Sequence, residues 1–441
     1  MRNYCYFCKD MWALVDCDNF FCSCERAFRP DLNDRPVVVL SNNDGCVVAR
    51  SAETKAMGIA MGMPYFKMLQ EFAGRGIVAF SSNYTLYGDM SARVIAVLRD
   101  AAPEVLQYSI DEAFLDLRGI DNVDLKKWGE DLARRVRQWT GIPVSIGIAP
   151  TKTLAKMASR FAKRYPGYNK CCLIATDEQR RKALSLFEVG DVWGIGRRIA
   201  KSLAAKGITT AAQFADKPRE WVRAKYHVTG ERTWAELRGV NAVDVDSMDG
   251  TTHKSIMTSR SFPGMITELT DLRTHVSNYA ARCAAKLRRQ HTVCGMLMVF
   301  VQANYFRPDL PYYSNSATAQ FSTATANTTE IVELAGRVLE CIFRPGIHYK
   351  RAGVMVSDIS PDDAVQPDLF EFDADQSRRY RSISEVIDRI NERLGTDTVI
   401  LASQQYAQKD ESGKNIGFSQ AIRRSLKSPD YSTRPDSFKV K

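Results

Sequence analysis

Short apolar runs broken by acids and glycines dominate the first part of the chain. Residues 11–15, Met-Trp-Ala-Leu-Val, stop at Asp16. A run this short, apolar throughout and ended by a charge, predicts a buried strand rather than a helix. Residues 36–40 and 77–80 repeat the pattern. Val105–Ile110 and Ala113–Leu117 flank Asp111-Glu112 as two strands of a hairpin would. The period then changes. Leu125, Trp128, Leu132, Val136 and Trp139 recur at steps of three, four, four and three, which predicts one helix face. Pro143–Ala149 is a further strand, Thr151–Tyr165 a second helix with Leu154, Met157, Ala158 and Phe161 as its core stripe, and Cys171–Ala175 a closing strand. The order β-ββ-α-β-α-β, with an inserted segment, predicts an α+β domain with an antiparallel or mixed sheet backed by helices.

From about residue 182 the pattern turns helical, with Gly194-Ile195-Gly196 between two amphipathic stretches. Residues 241–254, including Asp244, Asp246, Asp249 and Gly250, read as a linker between domains. Residues 255–358 mix strands and helices, and Pro361–Asp375 is acidic and extended. The tail from Ser377 holds one helix near 382–394 and ends in a basic stretch.

Composition narrows this only in part. The 441 residues are 45% apolar and 25% charged, as in ordinary globular proteins, which excludes wholesale disorder, collagen-like repetition and a small disulfide scaffold. At roughly 150 residues per domain, two to four domains are expected. The net charge of +10 admits a polyanionic partner but suits a basic enzyme equally well. No run of about 18 apolar residues predicts a membrane span. The first ten residues lack the apolar stretch of a secretory signal, so a reducing cytoplasm with free thiols is the expectation for the eleven cysteines. Cys5 and Cys8 have CxxC spacing without a second pair and read as incidental thiols.

The candidate chemistry is acidic. If the strands ending at Asp16 and turning at Asp111-Glu112 share a sheet, three carboxylates converge. Like charges so placed favour a divalent cation, and oxygen ligands favour Mg²⁺, which binds substrate phosphates alongside a few carboxylates. The same acids would also suit solvated turns.

The string Asp16-Cys17-Asp18-Asn19-Phe20-Phe21, followed by Ser109-Ile110-Asp111-Glu112-Ala113-Phe114, resembles the two catalytic motifs of Y-family translesion DNA polymerases. Ser41-Asn42-Asn43-Asp44-Gly45-Cys46-Val47-Val48-Ala49-Arg50, Ser81-Ser82-Asn83-Tyr84 and Asp191-Val192-Trp193-Gly194-Ile195-Gly196-Arg197-Arg198 resemble the UmuC type in particular. The resemblance runs from about Met11 to the C-terminus. It implies that Asp16, Asp111 and Glu112 are catalytic and hold two Mg²⁺ ions, with the carbonyl of Cys17 as a further ligand; Asp18 is not counted among them. Phe21 falls on the steric-gate position, whose ring excludes a ribose 2′ hydroxyl, while Phe20 suits a core aromatic.

Lys163 matches the family's triphosphate lysine and Lys55 a fingers cation with the same duty. Ala52 stands where many relatives place a phosphate-binding Tyr. Lys152, Lys156 and Lys163 lie within roughly 40° of one another on a helix, a stripe that suits a solvated face as well as phosphate, and Lys152 and Lys156 are assigned to DNA. Gly194, Gly196 and Arg197 mark a helix-hairpin-helix, where glycine lets the backbone approach a phosphate and helix-terminal amides donate to it. Arg198 and Lys201 add charge there. Arg282, Lys286, Arg288 and Arg289 fit a solvated face or a phosphate contact equally. Gln366-Pro367-Asp368-Leu369-Phe370 resembles the peptide by which bacterial polymerases bind the sliding clamp, with Gln366, Leu369 and Phe370 as its anchors.

The fold so implied is a multidomain right-hand polymerase. Its parts are an extension (1–10), a ferredoxin-like palm (11–19 and 88–181), small fingers (20–87), a helix-hairpin-helix thumb (182–243), a linker (244–254), a little finger (255–359), a clamp-binding segment (360–376) and a tail (377–441). The expected function is error-prone, template-directed translesion DNA synthesis by two-metal nucleotidyl transfer in the SOS response. The expected substrates are primer-template DNA and deoxynucleoside triphosphates, and a UmuD′-like accessory protein and a RecA filament are expected partners. A catalytically silent DNA-binding accessory subunit is the alternative. A nucleotide cyclase is disfavoured, because its Gly-Gly-Asp/Glu-Glu-Phe turn is missing.

Overall fold

In the computed structural model the first apolar run forms β1 (Trp12–Cys17). The structure describes residues 11–120, 123–245, 254–363, 365, 374–395, 397–404, 424–429 and 431. After β1 come α1 (Phe20–Phe28), β2 (Val37–Leu40), β3 (Val47–Arg50), α2 (Ala52–Ala56), α3 (Tyr65–Glu71), β4 (Val78–Ser81) and α4 (Tyr84–Arg99). Then follow β5 (Glu104–Gln107), β6 (Glu112–Asp116), α5 (Leu125–Thr140), β7 (Val144–Ala149), α6 (Lys152–Arg164) and β8 (Cys171–Leu173). Five of these strands form one sheet in the order β5-β6-β1-β7-β8, and the inserted segment forms a small sheet, β3-β2-β4. Only β7 and β8 are parallel in the larger sheet, so it is mixed.

Strand periodicity decides what each face carries. Ala13, Val15 and Cys17 enter one core together with residues of α1, α4 and α5, while Trp12 and Leu14 enter the other under α6. Asp16 continues the second row, at the end of the strand. The expected hairpin forms with a longer turn: β5 ends at Gln107, three residues before the expected Ile110, the turn spans 108–111, and Glu112 is the first residue of β6. The Ser109 hydroxyl accepts from the amides of Asp111 (3.2 Å) and Glu112 (3.0 Å), which closes the turn before Glu112.

Helix α6 lies close on β7 because residue 147 is glycine. A Cβ there would fall 2.1 Å from the carbonyl oxygen of Ala155 and the amide nitrogen of Ser159. Helix α5 buries Leu132 and Val136 as expected, but Trp139 is 62% exposed. It lies about 60° off the line of Val136 on the last turn, with the Arg135 guanidinium over its ring.

Helices α7 (Asp177–Leu186), α8 (Arg197–Ala204), α9 (Ala211–Ala215) and α10 (Arg219–Leu237) continue the core beneath α6. The described residues up to 245 and from 424 make up one compact unit, and those between 254 and 404 a second. The second contains β9 (Ser255–Ile266), α11 (Leu269–Arg289), β10 (Thr292–Ala303), β11 (Ser314–Thr325), α12 (Thr328–Ile342), β12 (Tyr349–Pro361) and α13 (Ala374–Leu394). Its antiparallel sheet, β11-β10-β12-β9, is covered by α11 and α12.

The arginines of α11 do not all face solvent. Arg288, with its side chain 13% exposed, makes a two-point pair with Asp388 of α13 (2.7 and 2.8 Å), and Arg282 pairs with Asp397 (2.9 Å). Those two members of the basic stripe, for which a solvated face and a phosphate contact are equally open by sequence, bind the tail instead, whereas Lys286 and Arg289 are exposed.

Candidate active site

Three elements position the acids. Asp16 of β1 lies directly opposite Glu112 of β6 in the antiparallel register, and the two side chains share the α6 face of the sheet. Asp111 is held at the turn beside them. Its carboxylate accepts from Ser109 Oγ (2.7 Å), and its carbonyl accepts from the Cys17 amide (2.8 Å), which fastens the turn to the end of β1. Asp16 and Glu112 are thereby placed side by side on one face of the sheet, with Asp111 next in sequence at the turn.

Helix α6 supplies the countercharge. Lys163 Nζ lies 2.6 Å from Asp16 and 3.3 Å from Asp18, and Lys156 Nζ lies 3.0 Å from Glu112. Lys156 also rests over the rings of Tyr108 and Trp193. Burial pushes the Asp16 carboxyl up to about 6; Lys163 opposes the shift, and the charges of Glu112 and Asp18 add to it. Burial works against the charge on Lys163, yet Asp16 and Asp18 outweigh it and hold the ammonium above its ordinary value. Asp16, Glu112, Lys156, Lys163 and Trp193 line a pocket of about 340 Å³, together with Arg160, which pairs with Asp191 (2.6 Å).

The acids that line this pocket, Asp16, Glu112 and Asp191, offer carboxylate oxygens, the ligand type that suits a hard divalent cation. Among the described residues no three His, Cys, Asp or Glu side chains surround a common point closely enough to hold an ion. Lys163 and Lys156 neutralise Asp16 and Glu112 from within the chain.

Other candidates are placed as follows. Phe21 stacks on Tyr87 (centroids 4.3 Å apart, 15° between planes) and meets Tyr84 edge-on (5.9 Å, 87°), while Phe20 is buried in the core. Lys55 donates to Asn19, and its ammonium is held below the ordinary range by burial and by repulsion from Lys163 and Arg50. Gly194 has φ +96°, and a Cβ there would fall 2.3 Å from Thr233 Oγ1, so the turn requires glycine. Gly196 caps α8, and Arg197 and Arg198 beyond it are exposed.

The expected lysine stripe divides. Lys152 is 4% exposed, donates to the Val243 carbonyl (3.0 Å) and lies over the Trp12 ring, so it is not presented to DNA. Lys156 faces Glu112 within the pocket, which places it with the acids rather than on a DNA-facing surface. Gln366, Leu369 and Phe370, like Cys5 and Cys8, lie outside the described residues. The nine described cysteines are free thiols.

Sequence reasoning missed two groups. Asp18 is buried and accepts from Ser145 Oγ (2.9 and 3.1 Å), and Lys170 Nζ lies 2.8 Å from it, which anchors the end of β1 to β7 and the approach to β8. Glu25, Tyr87 and Ser428 form a second buried polar group beside α1. No local spacing signals either, because their partners are 62 to 403 residues away in sequence.

The impB/mucB/samB family matches residues 15–160, its C-terminal domain matches residues 253–369, and a domain of unknown function matches residues 381–438. The chain is 41% identical to protein UmuC of Salmonella typhimurium, over 98% of this chain and 100% of that protein. It is 40% identical to protein SamB of the same organism, over 96% of this chain and 98% of SamB. DNA polymerase IV of Brucella melitensis is 28% identical, over 88% of this chain and 84% of that protein. Among solved structures, a Y-family DNA polymerase chimera of Dbh and Dpo4 shares the fold, with a TM-score of 0.65 at 21% identity, covering 80% of this chain and 99% of the chimera.

Proposed function

The chain belongs to the impB/mucB/samB family, the UmuC type of Y-family DNA polymerases, and we propose that it extends a primer 3′ end across damaged template with Asp16, Asp111 and Glu112 at its catalytic centre. The observation that carries this reading is the Asp16–Glu112 cross-strand pair beneath the lysines of α6. Two Mg²⁺ ions held by Asp16, Asp111, Glu112 and the Cys17 carbonyl would supply the activation of the primer hydroxyl and the stabilisation of the leaving pyrophosphate.

The chain's own residues do the rest. The Asp111 carbonyl and Ser109 hydroxyl fix the turn to the end of β1, which keeps Asp111 and Glu112 beside Asp16. Lys163 and Lys55, close enough for their charges to interact, offer cations to the triphosphate. Phe21, stacked on Tyr87, sets a flat wall that a deoxyribose clears and a 2′ hydroxyl does not. No side chain is assigned as a general base.

Residues 11–19 and 88–181 act as palm, 20–87 as fingers, 182–243 as thumb and 255–359 as little finger. Gly194, Gly196 and Arg197 hold the duplex backbone, contacts that position DNA without reading its sequence. The segment with Gln366, Leu369 and Phe370 binds the sliding clamp, and the tail serves a UmuD′-like accessory protein and a RecA filament, in error-prone synthesis at the nucleoid during the SOS response. Identity to UmuC along nearly the whole chain supports these assignments. No described helix is long and apolar enough to cross a membrane.

Asp111→Ala tests the centre. Primer extension with Mg²⁺ is expected to fall by about 10³-fold or more, the scale of losing one electrostatic element of an active site. Undiminished extension by the variant removes these carboxylates from the catalytic role.

A further inference from the structure

The last described residues pack with the first unit, whose partners lie hundreds of residues earlier. Leu426 exchanges two hydrogen bonds with Ser81 at the end of β4: its amide donates to Ser81 Oγ (3.0 Å), and its carbonyl accepts from the Ser81 amide (3.0 Å). The Ser425 amide and hydroxyl both donate to Asp44 Oδ2 (3.1 and 3.0 Å). The Leu426 side chain covers the small core of Val38, Leu40 and Met68, and the Tyr431 ring stacks on Phe28 (4.6 Å, 5°).

Between these anchors, Ser428 is 5% exposed and joins two groups. Its hydroxyl accepts from Asn83 Nδ2 (3.0 Å) and donates to Glu25 Oε1 (3.2 Å). Asn83 is the N-cap of α4, where its side-chain oxygen accepts from the Leu86 amide. Glu25 is fully buried, and its Oε1 also accepts from the Tyr87 hydroxyl (2.8 Å). Its other oxygen has no hydrogen-bond partner among the described residues.

The two rings that bracket Phe21, Tyr84 and Tyr87, both lie on the first turn of α4. Ser428 therefore touches the cap that starts this turn and the carboxyl that holds its Tyr87 end. A buried polar network of this kind fixes side-chain positions only while each member keeps its partner.

We propose that residues 424–429 and 431 act as a strap that, through Ser428, Asn83, Glu25 and Tyr87, sets the position of the Phe21 ring and so the selection of deoxyribonucleotides over ribonucleotides. Ser428 is thus a positioning residue contributed by the far end of the chain. The inference rests on the reading of Phe21 as the sugar gate.

The test measures single-nucleotide incorporation of a dNTP and the matching rNTP by the full chain and its variants. Ser428→Ala is expected to lower the dNTP-to-rNTP ratio of kcat/KM by about five-fold, the scale of one net hydrogen bond, mainly through a lower KM for the rNTP. Leu426→Asp, which undocks the strap from its apolar seat, is expected to lower the ratio at least as far. Phe21→Ala is run alongside. If Phe21→Ala relaxes the ratio while Ser428→Ala and Leu426→Asp leave it unchanged, the strap proposal is overturned and the gate reading stands. If dNTP and rNTP use fall by the same factor in the strap variants, the segment is only a structural clasp and the positioning role is overturned. If Phe21→Ala itself leaves the ratio unchanged, the gate reading fails first and takes the strap proposal with it.

Discussion

Gly147→Ala puts the packing of α6 on β7 under direct test. The added Cβ would lie 2.1 Å from Ala155 O and Ser159 N and 2.8 Å from the Ala158 carbonyl carbon, where ordinary contact begins near 3.4 Å. All three atoms are backbone, so no side-chain rotation relieves the clash, and α6 must retreat by about 1.3 Å. Overpacking of this kind costs about 1–3 kcal/mol, which for a unit of this size is a fall in Tm of about 3–10 °C.

The same movement carries Lys156 and Lys163 away from Glu112 and Asp16, now 3.0 and 2.6 Å away, beyond hydrogen-bond reach. A displacement near 1 Å in a reacting site lowers rate by about 10²-fold, so kcat/KM for dNTP incorporation is expected to drop by roughly that factor. Thermal unfolding and single-turnover incorporation on a primer-template read the two effects separately. A variant with unchanged Tm and unchanged incorporation would refute the claim that this glycine sets the distance between α6 and the acids.

Three further outcomes are expected. Replacing Gln366, Leu369 and Phe370 with Ala should abolish stimulation by the sliding clamp while clamp-free extension stays the same; persistent stimulation in a primer-extension assay removes the motif. His275, packed on Phe262, has its imidazole pushed down to about 4 by burial. The unfolded chain therefore takes up this proton first, so the contribution is complete above about pH 6.5 and is lost as pH falls toward 4, by up to about 3 kcal/mol. Urea midpoints of the second unit at pH 7 and pH 4.5 should differ less in His275→Gln than in the parent. Arg288→Ala leaves Asp388 without its two-point partner, and amide exchange in α13 should quicken by about ten-fold, the scale of one charged hydrogen bond; unchanged exchange means that α13 is held by other contacts.

Much of the candidate site was legible in local pattern. An apolar run ending at Asp16 can bury itself only as a strand, and alternation then decides that Asp16 shares a face with Trp12 and Leu14. The apolar stripe of Leu154, Met157 and Ala158 identifies the buried face of α6. Period alone did not reveal the environment of each lysine. Lys152 and Lys156 lie near one another on the helix, yet one is sealed against Trp12 and Val243 while the other meets Glu112. What surrounds a helix face depends on the loops and strands that close over it.

Trp139, Arg282 and Arg288 make the same point from the other side. An amphipathic count put Trp139 inward and left the arginines to solvent or phosphate, but Trp139 is exposed and Arg282 and Arg288 pair with carboxylates of the tail. The order of the elements, the carboxylate motifs and the lysine-bearing helix were determined by the sequence itself, because helix and strand periods and turn chemistry act over a few residues. Register, ion pairing and the Ser428–Glu25–Tyr87 link were decided only by the tertiary structure. A hydrogen bond or a countercharge acts over a few ångströms of space, and the chain brings residues 403 positions apart within that range.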